Sequence, residues 1–255
     1  MVTVSHGGTD SIQSTAGHVA MLEERYRSVG DRTWNETDFV ETHLLGSRAL
    51  FTDESLAARK ARPRELEVYA LLSGLPFPEP FTTALTDVQQ RITAVLGDCL
   101  HYWVLPQNLG VEYCVFKWPG EALPEDGLHV ARAGLAQIRA EPFGFAIGGI
   151  QVNPDGCVVA RGFDDRGALF DIRRSVRDRV PFLPERQSQW AHVPLGRILE
   201  PVGPARFQRL KELVASLASV PIARTSIDHM KLIHETRWYM EERETIEEFS
   251  LGGRA

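Results

Sequence analysis

The sequence predicts an α+β fold with mainly antiparallel pairing, and two observations carry that prediction. From residue 65 onward the patterns run strand, helix, strands, helix, strands, helix, strand, helix, strands. The junction Asn153-Pro154-Asp155-Gly156 holds the residues a tight turn requires, so the strands on either side of it pair as neighbours. A doubly wound sheet is not indicated, because no glycine-rich phosphate loop of the P-loop or dinucleotide-binding type occurs.

Residues 1–10 are rich in Gly and Ser and are expected to be disordered. Val19, Leu22, Tyr26 and Val29 recur at three- and four-residue steps and predict a helix over about 11–30. A short helix over 55–61 stops at Pro63. Residues 1–64 are read as a partly helical N-terminal extension packed on a main body at 65–255. The first strand is 65–73, closed by Gly74-Leu75-Pro76. A helix follows with Leu85, Val88, Ile92 and Val95 on one stripe and an end near Gly97. Strands are predicted over 100–105 and 109–118, then a helix carrying Leu128, Ala131, Leu135 and Ile138. The turn at 153–156 separates strands 142–150 and 157–163. Leu169, Ile172, Val176 and Val180 mark the next helix, 181–188 a loop, and 189–199 a strand. Pro204 opens a last helix bearing Phe207, Leu210, Val214 and Leu217. Strands over 227–239 and 248–251 close the chain, with Glu241 to Glu244 as a solvated loop between them.

Composition narrows the function. At 255 residues, 43% hydrophobic and 24% charged, the chain is of ordinary globular make-up. A net charge of −6 argues against an extended nucleic-acid-binding surface. No apolar run has the length of a membrane span, and the first residues lack the pattern of a secretion signal. Cys99, Cys114 and Cys157 are odd in number and unpaired in spacing, which points to a reducing cytoplasm and gives no zinc signature. No cofactor is implied, and nothing fixes an oligomeric state.

The segment 189–199 carries the strongest functional signal. Strand alternation places His192, Pro194 and Gly196 on one face and Val193 and Leu195 on the other. Such a face suits a cleft wall; an edge strand with Pro194 is the alternative. The run His192-Val193-Pro194-Leu195-Gly196-Arg197-Ile198 is similar to the second motif of the two-histidine phosphoesterase family, in which a histidine, an apolar residue and a hydroxyl residue precede Leu-Gly-Arg. The strand 66–73 with Leu75-Pro76, and Pro142-Phe143-Gly144-Phe145, resemble two further strands of that family. The resemblance covers roughly 65–251. LigT-like members act on RNA 2',3'-cyclic phosphates or 2'-5' linkages, with one histidine from each of two lobes facing a central cleft. It implies a two-lobed fold, phosphodiester chemistry and a small nucleotide or RNA-end ligand, bound without a membrane.

The chain departs from the family motifs. In Val111-Glu112-Tyr113-Cys114-Val115-Phe116, Glu112 stands where the first histidine is expected and Cys114 where its hydroxyl residue is expected. Pro194 replaces the second hydroxyl residue. Glu112 and His192 lie 80 residues apart, as a one-per-lobe pair would. Glu112 is read as a general base opposite His192 as acid, as a paired strand carboxylate, or as a sign that the ligand is no phosphate. Cys114 is a candidate nucleophile or a small buried hydrophobe. Arg197 and Lys117 are candidate anion-binding groups. Tyr113, with Tyr102, Trp103 and Trp118, is a candidate for stacking a base. His234 is placed on a strand that borders the cleft, whereas His129 sits in a helical stripe and His101 beside aromatic residues. Three readings follow: a divergent phosphoesterase using His192 and Glu112, a catalytically degenerate nucleotide- or partner-binding module, and a cleft enzyme with a changed, non-phosphate substrate.

Overall fold

The computed structural model describes residues 9–218 and 220–252, with side chains from residue 17. Of residues 1–10, expected to be disordered, 1–8 lie outside them, while Thr9 and Asp10 begin the first helix, a correction to that expectation. Three helices come first: α1 (Thr9–Trp34), α2 (Glu41–Arg48) and α3 (Asp53–Ala57). Then follow β1 (Glu65–Gly74), α4 (Glu79–Leu96), β2 (His101–Trp103), β3 (Gly110–Lys117), α5 (Gly127–Leu135), β4 (Phe143–Val152) and β5 (Cys157–Asp164). The chain continues through α6 (Ala168–Arg179), β6 (Val193–Ile198), α7 (Pro204–Leu217), β7 (Pro221–Ile227), β8 (His229–Arg237) and β9 (Glu242–Ser250).

The strands form two sheets in which every pairing is antiparallel. One has the order β3-β1-β8-β9, the other β2-β6-β5-β4-β7. This is the predicted α+β class with two antiparallel sheets and helices outside. The β4–β5 turn forms at Asn153–Gly156, with Gly156 donating to the Asn153 carbonyl at 2.9 Å.

The last third differs from expectation. The predicted strand over 227–239 divides at Asp228 into β7 and β8, which pair in different sheets. Glu242, Arg243 and Glu244, expected in a loop, begin β9. Both β7 and β9 are edge strands. Their outer sides face water, so backbone pairing rather than an apolar period forms them, and the charges on β9 block further strand addition.

One apolar core runs through both sheets and takes in Leu22 and Tyr26 of α1, Leu44 of α2, and Phe39 and Phe51. The N-terminal helices are tied down by polar contacts as well. Thr33 Oγ1 donates to the Val152 carbonyl at 2.8 Å, and Arg48 donates to the Leu199 carbonyl at 2.8 Å. Gly162 shows how tightly the site's surroundings pack. A Cβ there would stand 1.7 Å from the Ala191 carbonyl oxygen, so only glycine lets β5 pass under the residue that precedes His192.

Candidate functional site

A cavity of about 310 Å³ lies between the two sheets. The first sheet contributes Val68, Ala70 and Leu72 of β1, Glu112 of β3, Glu235 of β8 and the β8–β9 turn. The second contributes Cys157 of β5 and His192, Pro194 and Arg197 at β6. The α6–β6 connection, through Arg186, Gln187 and Ser188, closes one side. A larger open groove of about 760 Å³ beside α1 contains no histidine.

β-bulges decide which side chains reach this cavity. In β6 the register against β5 shifts between the pairs Val158–Gly196 and Val159–Pro194. Leu195 is the extra residue, and alternation is broken there. Arg197, which simple alternation puts on the face opposite His192, is thereby turned into the same cavity. In β3 the pairs are Ala70–Val115, Leu71–Cys114 and Leu72–Glu112, with a shift at Tyr113. Glu112 therefore shares the cavity face with Leu72, while Cys114 shares the core face with Leu71. Strand alternation alone would put Glu112 and Cys114 on one face, and that bulge separates them. Cys114 is 3% exposed, and burial pushes its thiol far above the ordinary range, which removes it as a nucleophile.

The other expected ligand-binding residues stand elsewhere. Lys117 ion-pairs with Glu67 and lies 5.9 Å from the centre of the Tyr69 ring. His234 stacks on Tyr69 with ring centres 4.4 Å apart, its Nε2 3.3 Å from Glu67. Tyr69 alternates with Val68 and Ala70, so Lys117 and His234 both sit on the face of the first sheet turned away from the cavity. Tyr113 is fully buried, its hydroxyl 2.8 Å from Ser73 Oγ. Tyr102 packs against Phe51 and Tyr239 and donates to Glu241 at 2.7 Å. Trp103 donates to Thr93 at 2.7 Å. Of the four aromatic residues proposed for stacking, Trp118 lines the cavity, and Trp238 joins it there.

The cavity's polar groups are held by a connected frame. Arg197 donates from Nε to the Tyr239 hydroxyl at 2.6 Å, and from Nη1 to Ser47 Oγ at 2.8 Å and Asp155 Oδ2 at 2.6 Å. Its Nη2 makes no hydrogen bond among the described residues. Tyr239 and Met240 both adopt left-handed backbone, φ 64° and 59°. For such residues this costs on the order of 1–3 kcal/mol each, and it presses both side chains against the cavity. Arg173 of α6 donates to the carbonyls of Glu112 at 2.7 Å, Tyr113 at 2.8 Å and Trp190 at 2.6 Å. One buried guanidinium thus ties the strand bearing Glu112 to the segment bearing His192. The Gln187 side chain pairs with Val115 like another strand, accepting from its N–H at 2.9 Å and donating to its carbonyl at 2.8 Å.

Electrostatics set the protonation states. Burial, with the positive charges of Arg173 and Arg197, pushes His192 down to about 4, so it is a neutral imidazole near pH 7. Its Nδ1 is buried without a partner, which leaves Nε2 as the nitrogen open to the cavity. Burial raises Glu112 above the usual carboxylate range, against the pull of Arg173 and Arg186. Glu235 is pushed up to about 7 by burial, opposed by the Met240 N–H and reinforced by Glu112.

Arg173, Glu235, Gln187, Asp155 and Ser47 escape the sequence reading. Arg173 has a visible signal, since it sits four residues after Leu169 on an apolar helical stripe. Asp155 sits in the predicted turn. Glu235 follows His234 in a strand whose face the sequence does not fix. Among the described residues no group of three or more His, Cys, Asp or Glu side chains is placed to hold a metal ion, and no helix is long and apolar enough to cross a membrane.

No protein-family model and no curated protein matches the chain. Solved structures do. E. coli LigT complexed with 3'-AMP superposes with a TM-score of 0.51 at 10% identity, covering 74% of this chain and all of LigT. A Thermus thermophilus protein gives 0.53 at 18% identity, covering 74% of this chain and 100% of its own. A conserved Agrobacterium tumefaciens protein of unknown function gives 0.53 at 11%, covering 72% and 86%. Identities this low speak for the fold alone, and with the two antiparallel sheets around one cavity they show that this chain has a LigT-like fold.

Proposed function

We propose that this protein hydrolyses a small phosphodiester, of the cyclic-nucleotide or RNA-end class, in the cavity between its sheets. The observation that carries the reading is that Glu112 and His192, one from each sheet, line one cavity together with Arg197. The protonation states favour a division of labour opposite to the one expected from sequence. Neutral His192 is the base, and Glu112, whose carboxyl burial displaces upward, is the acid. His192 Nε2 takes a proton from water as its oxygen bonds to phosphorus. The bond to the leaving ester oxygen breaks, and Glu112 protonates that oxygen. One water is consumed, and the proton returns from the imidazolium to the Glu112 carboxylate after product leaves. The anionic substrate raises the basicity of His192 while bound, which offsets its low starting value. Arg197, fixed by Tyr239, Ser47 and Asp155, offers Nη2 to a phosphoryl oxygen. Trp118 and Trp238 give an apolar wall for a base or sugar.

The test is hydrolysis of a panel of 2',3'-cyclic nucleotides by wild type, Glu112→Gln and His192→Ala. Turnover by the wild type and its loss in both variants is the expected result. Wild-type protein that turns over none of the panel sinks the reading. A second reading, a binding module without catalysis, is favoured by one feature: His192 Nδ1 has no carbonyl or carboxylate to hold the proton that a base at Nε2 requires. It predicts thermal stabilisation by the same nucleotides without product.

A further inference from the structure

Glu235 of β8 and Asn108, in the turn that leads into β3, both line the cavity between the sheets, and each is only 4% exposed. Each keeps one polar group that the fold does not use. Glu235 Oε1 accepts the Met240 N–H at 2.8 Å, while Oε2 has no partner among the described residues and stays open to the cavity. Asn108 Oδ1 accepts from Arg243 Nη1 at 2.6 Å, which fixes the direction of the amide. Its Nδ2 is left open to the cavity with no acceptor among the described residues. The two side chains belong to one frame. Arg243 Nη1 also donates to the Met240 carbonyl at 2.6 Å, and the N–H of that same Met240 is the donor to Glu235. A free acceptor and a free donor thus stand at the two ends of a short hydrogen-bond chain through Met240. Beside them the wall is apolar: Val68, Ala70, Leu72 and Met240 form one cluster, with Trp238 packed on it. The groups that suit a phosphate, His192 and Arg197, line the cavity from the other sheet. A buried carboxylate oxygen without a partner is costly unless a donor fills the place. An apolar wall that ends in an acceptor and a donor suits a planar ring with a hydrogen-bonding edge.

We propose that Glu235 and Asn108 read the base of the ligand, and that this base is guanine. The Glu235 carboxylate accepts the guanine N1–H and N2–H, and the Asn108 amide donates to O6. Among the four RNA bases guanine alone sets one acceptor and two donors in a row on that edge. Oε1, which already accepts the Met240 N–H, has a second lone pair for one of the two donors. Burial displaces the Glu235 carboxyl to about 7, so near neutrality it is divided between its two forms, and a pair of N–H donors draws it to the ionised one. The inference rests on the phosphodiesterase reading and deepens it by naming the base that the substrate carries; Glu235 and Asn108 have no part in the chemical step.

The experiment compares 2',3'-cyclic GMP, 2',3'-cyclic IMP and 2',3'-cyclic AMP as ligands of wild type, Glu235→Gln and Asn108→Asp. Affinity is read as Kd by calorimetry, or as KM where a ligand turns over. The inosine ligand keeps O6 and N1–H and lacks the 2-amino group. Wild type is expected to bind the guanosine ligand about tenfold or more tighter than either of the others. Glu235→Gln keeps an acceptor for the Met240 N–H and brings the guanosine and inosine ligands to within about twofold of each other. Asn108→Asp keeps an acceptor for Arg243 but turns a second acceptor toward O6; it weakens both ligands by about tenfold and preserves their ratio. A wild type that binds the guanosine ligand no better than the inosine ligand, or that prefers the adenosine ligand, overturns the base assignment and leaves the phosphodiesterase reading standing. So does a guanosine-to-inosine ratio that survives Glu235→Gln, or an Asn108→Asp that binds both as wild type does. A wild type that neither binds nor cleaves any of the three removes both.

Discussion

Replacing Glu235 by Gln makes the protein's stability less dependent on pH, and the structure gives the sign and size. The Glu235 carboxyl is displaced from 4.5 to about 7 in the folded protein. The folded state therefore binds this proton more tightly than the unfolded chain does, and the stability that proton gives is present in full below about pH 4.5. It is lost as pH rises from there to about 7. A displacement of this size corresponds to about 3 kcal/mol at 1.36 kcal/mol per unit. Glutamine is nearly isosteric and can still accept the Met240 N–H through its side-chain oxygen, so the hydrogen bond at 2.8 Å is preserved. Relative to its difference at pH 4, the variant gains up to about 3 kcal/mol over wild type by pH 8. Urea denaturation followed by tryptophan fluorescence at several pH values measures this difference directly. His192 works in the opposite sense. Its folded value is lowered from 6.5 to about 4, so the stability of the neutral imidazole is present above about pH 6.5 and lost as pH falls to about 4. The two trends oppose each other over most of their range, so either single variant exposes the other trend. A difference between Glu235→Gln and wild type that stays constant from pH 4 to 8 would refute the reasoning.

Other changes have equally definite outcomes. His192→Gln removes the acid-side loss, so it gains up to about 3 kcal/mol on wild type between pH 6.5 and 4 in the same titration. Arg173→Met removes a donor from three carbonyls at the junction of the sheets, of which that of Trp190 keeps the Ser188 hydroxyl at 3.4 Å; at about 1–3 kcal/mol for each of the other two, thermal unfolding shows a loss of about 2 kcal/mol or more. Gly162→Ala sets a methyl 1.7 Å from the Ala191 carbonyl, and denaturation shows a loss of about 1–3 kcal/mol together with weakened ligand binding as the segment before His192 is displaced. Ser47→Ala removes one of three partners of Arg197, costs about 1 kcal/mol in stability, and weakens the affinity of a 2',3'-cyclic nucleotide several-fold in an isothermal titration.

What the sequence determined by itself was the set of local structures and several of the groups in the cavity, Glu112, His192, Arg197 and Trp118. The order of periodic segments decided the α+β class, because apolar residues at period 2 or 3.6 can bury only one face of a strand or helix. The turn at 153–156 was legible from Asn, Pro, Asp and Gly alone, since each has its own backbone reason to be there. The resemblance around His192-Val193-Pro194-Leu195-Gly196-Arg197 pointed to the LigT-like fold, and Glu112 and His192 do line one cavity. The edge strands β7 and β9 were not legible, because their pairing is with a neighbour rather than with a core. Nor was the facing of single side chains. One extra residue in β3 turns Cys114 into the core, and one in β6 turns Arg197 into the cavity. A bulge reverses the parity on which strand reading depends, and its position is set by packing across the sheet. Glu235, Arg173 and Ser47 reach the site from a strand, a helix and the N-terminal segment far apart in the chain. Only tertiary structure brings them together, and burial there, more than residue type, sets the charge on His192, Glu112 and Glu235.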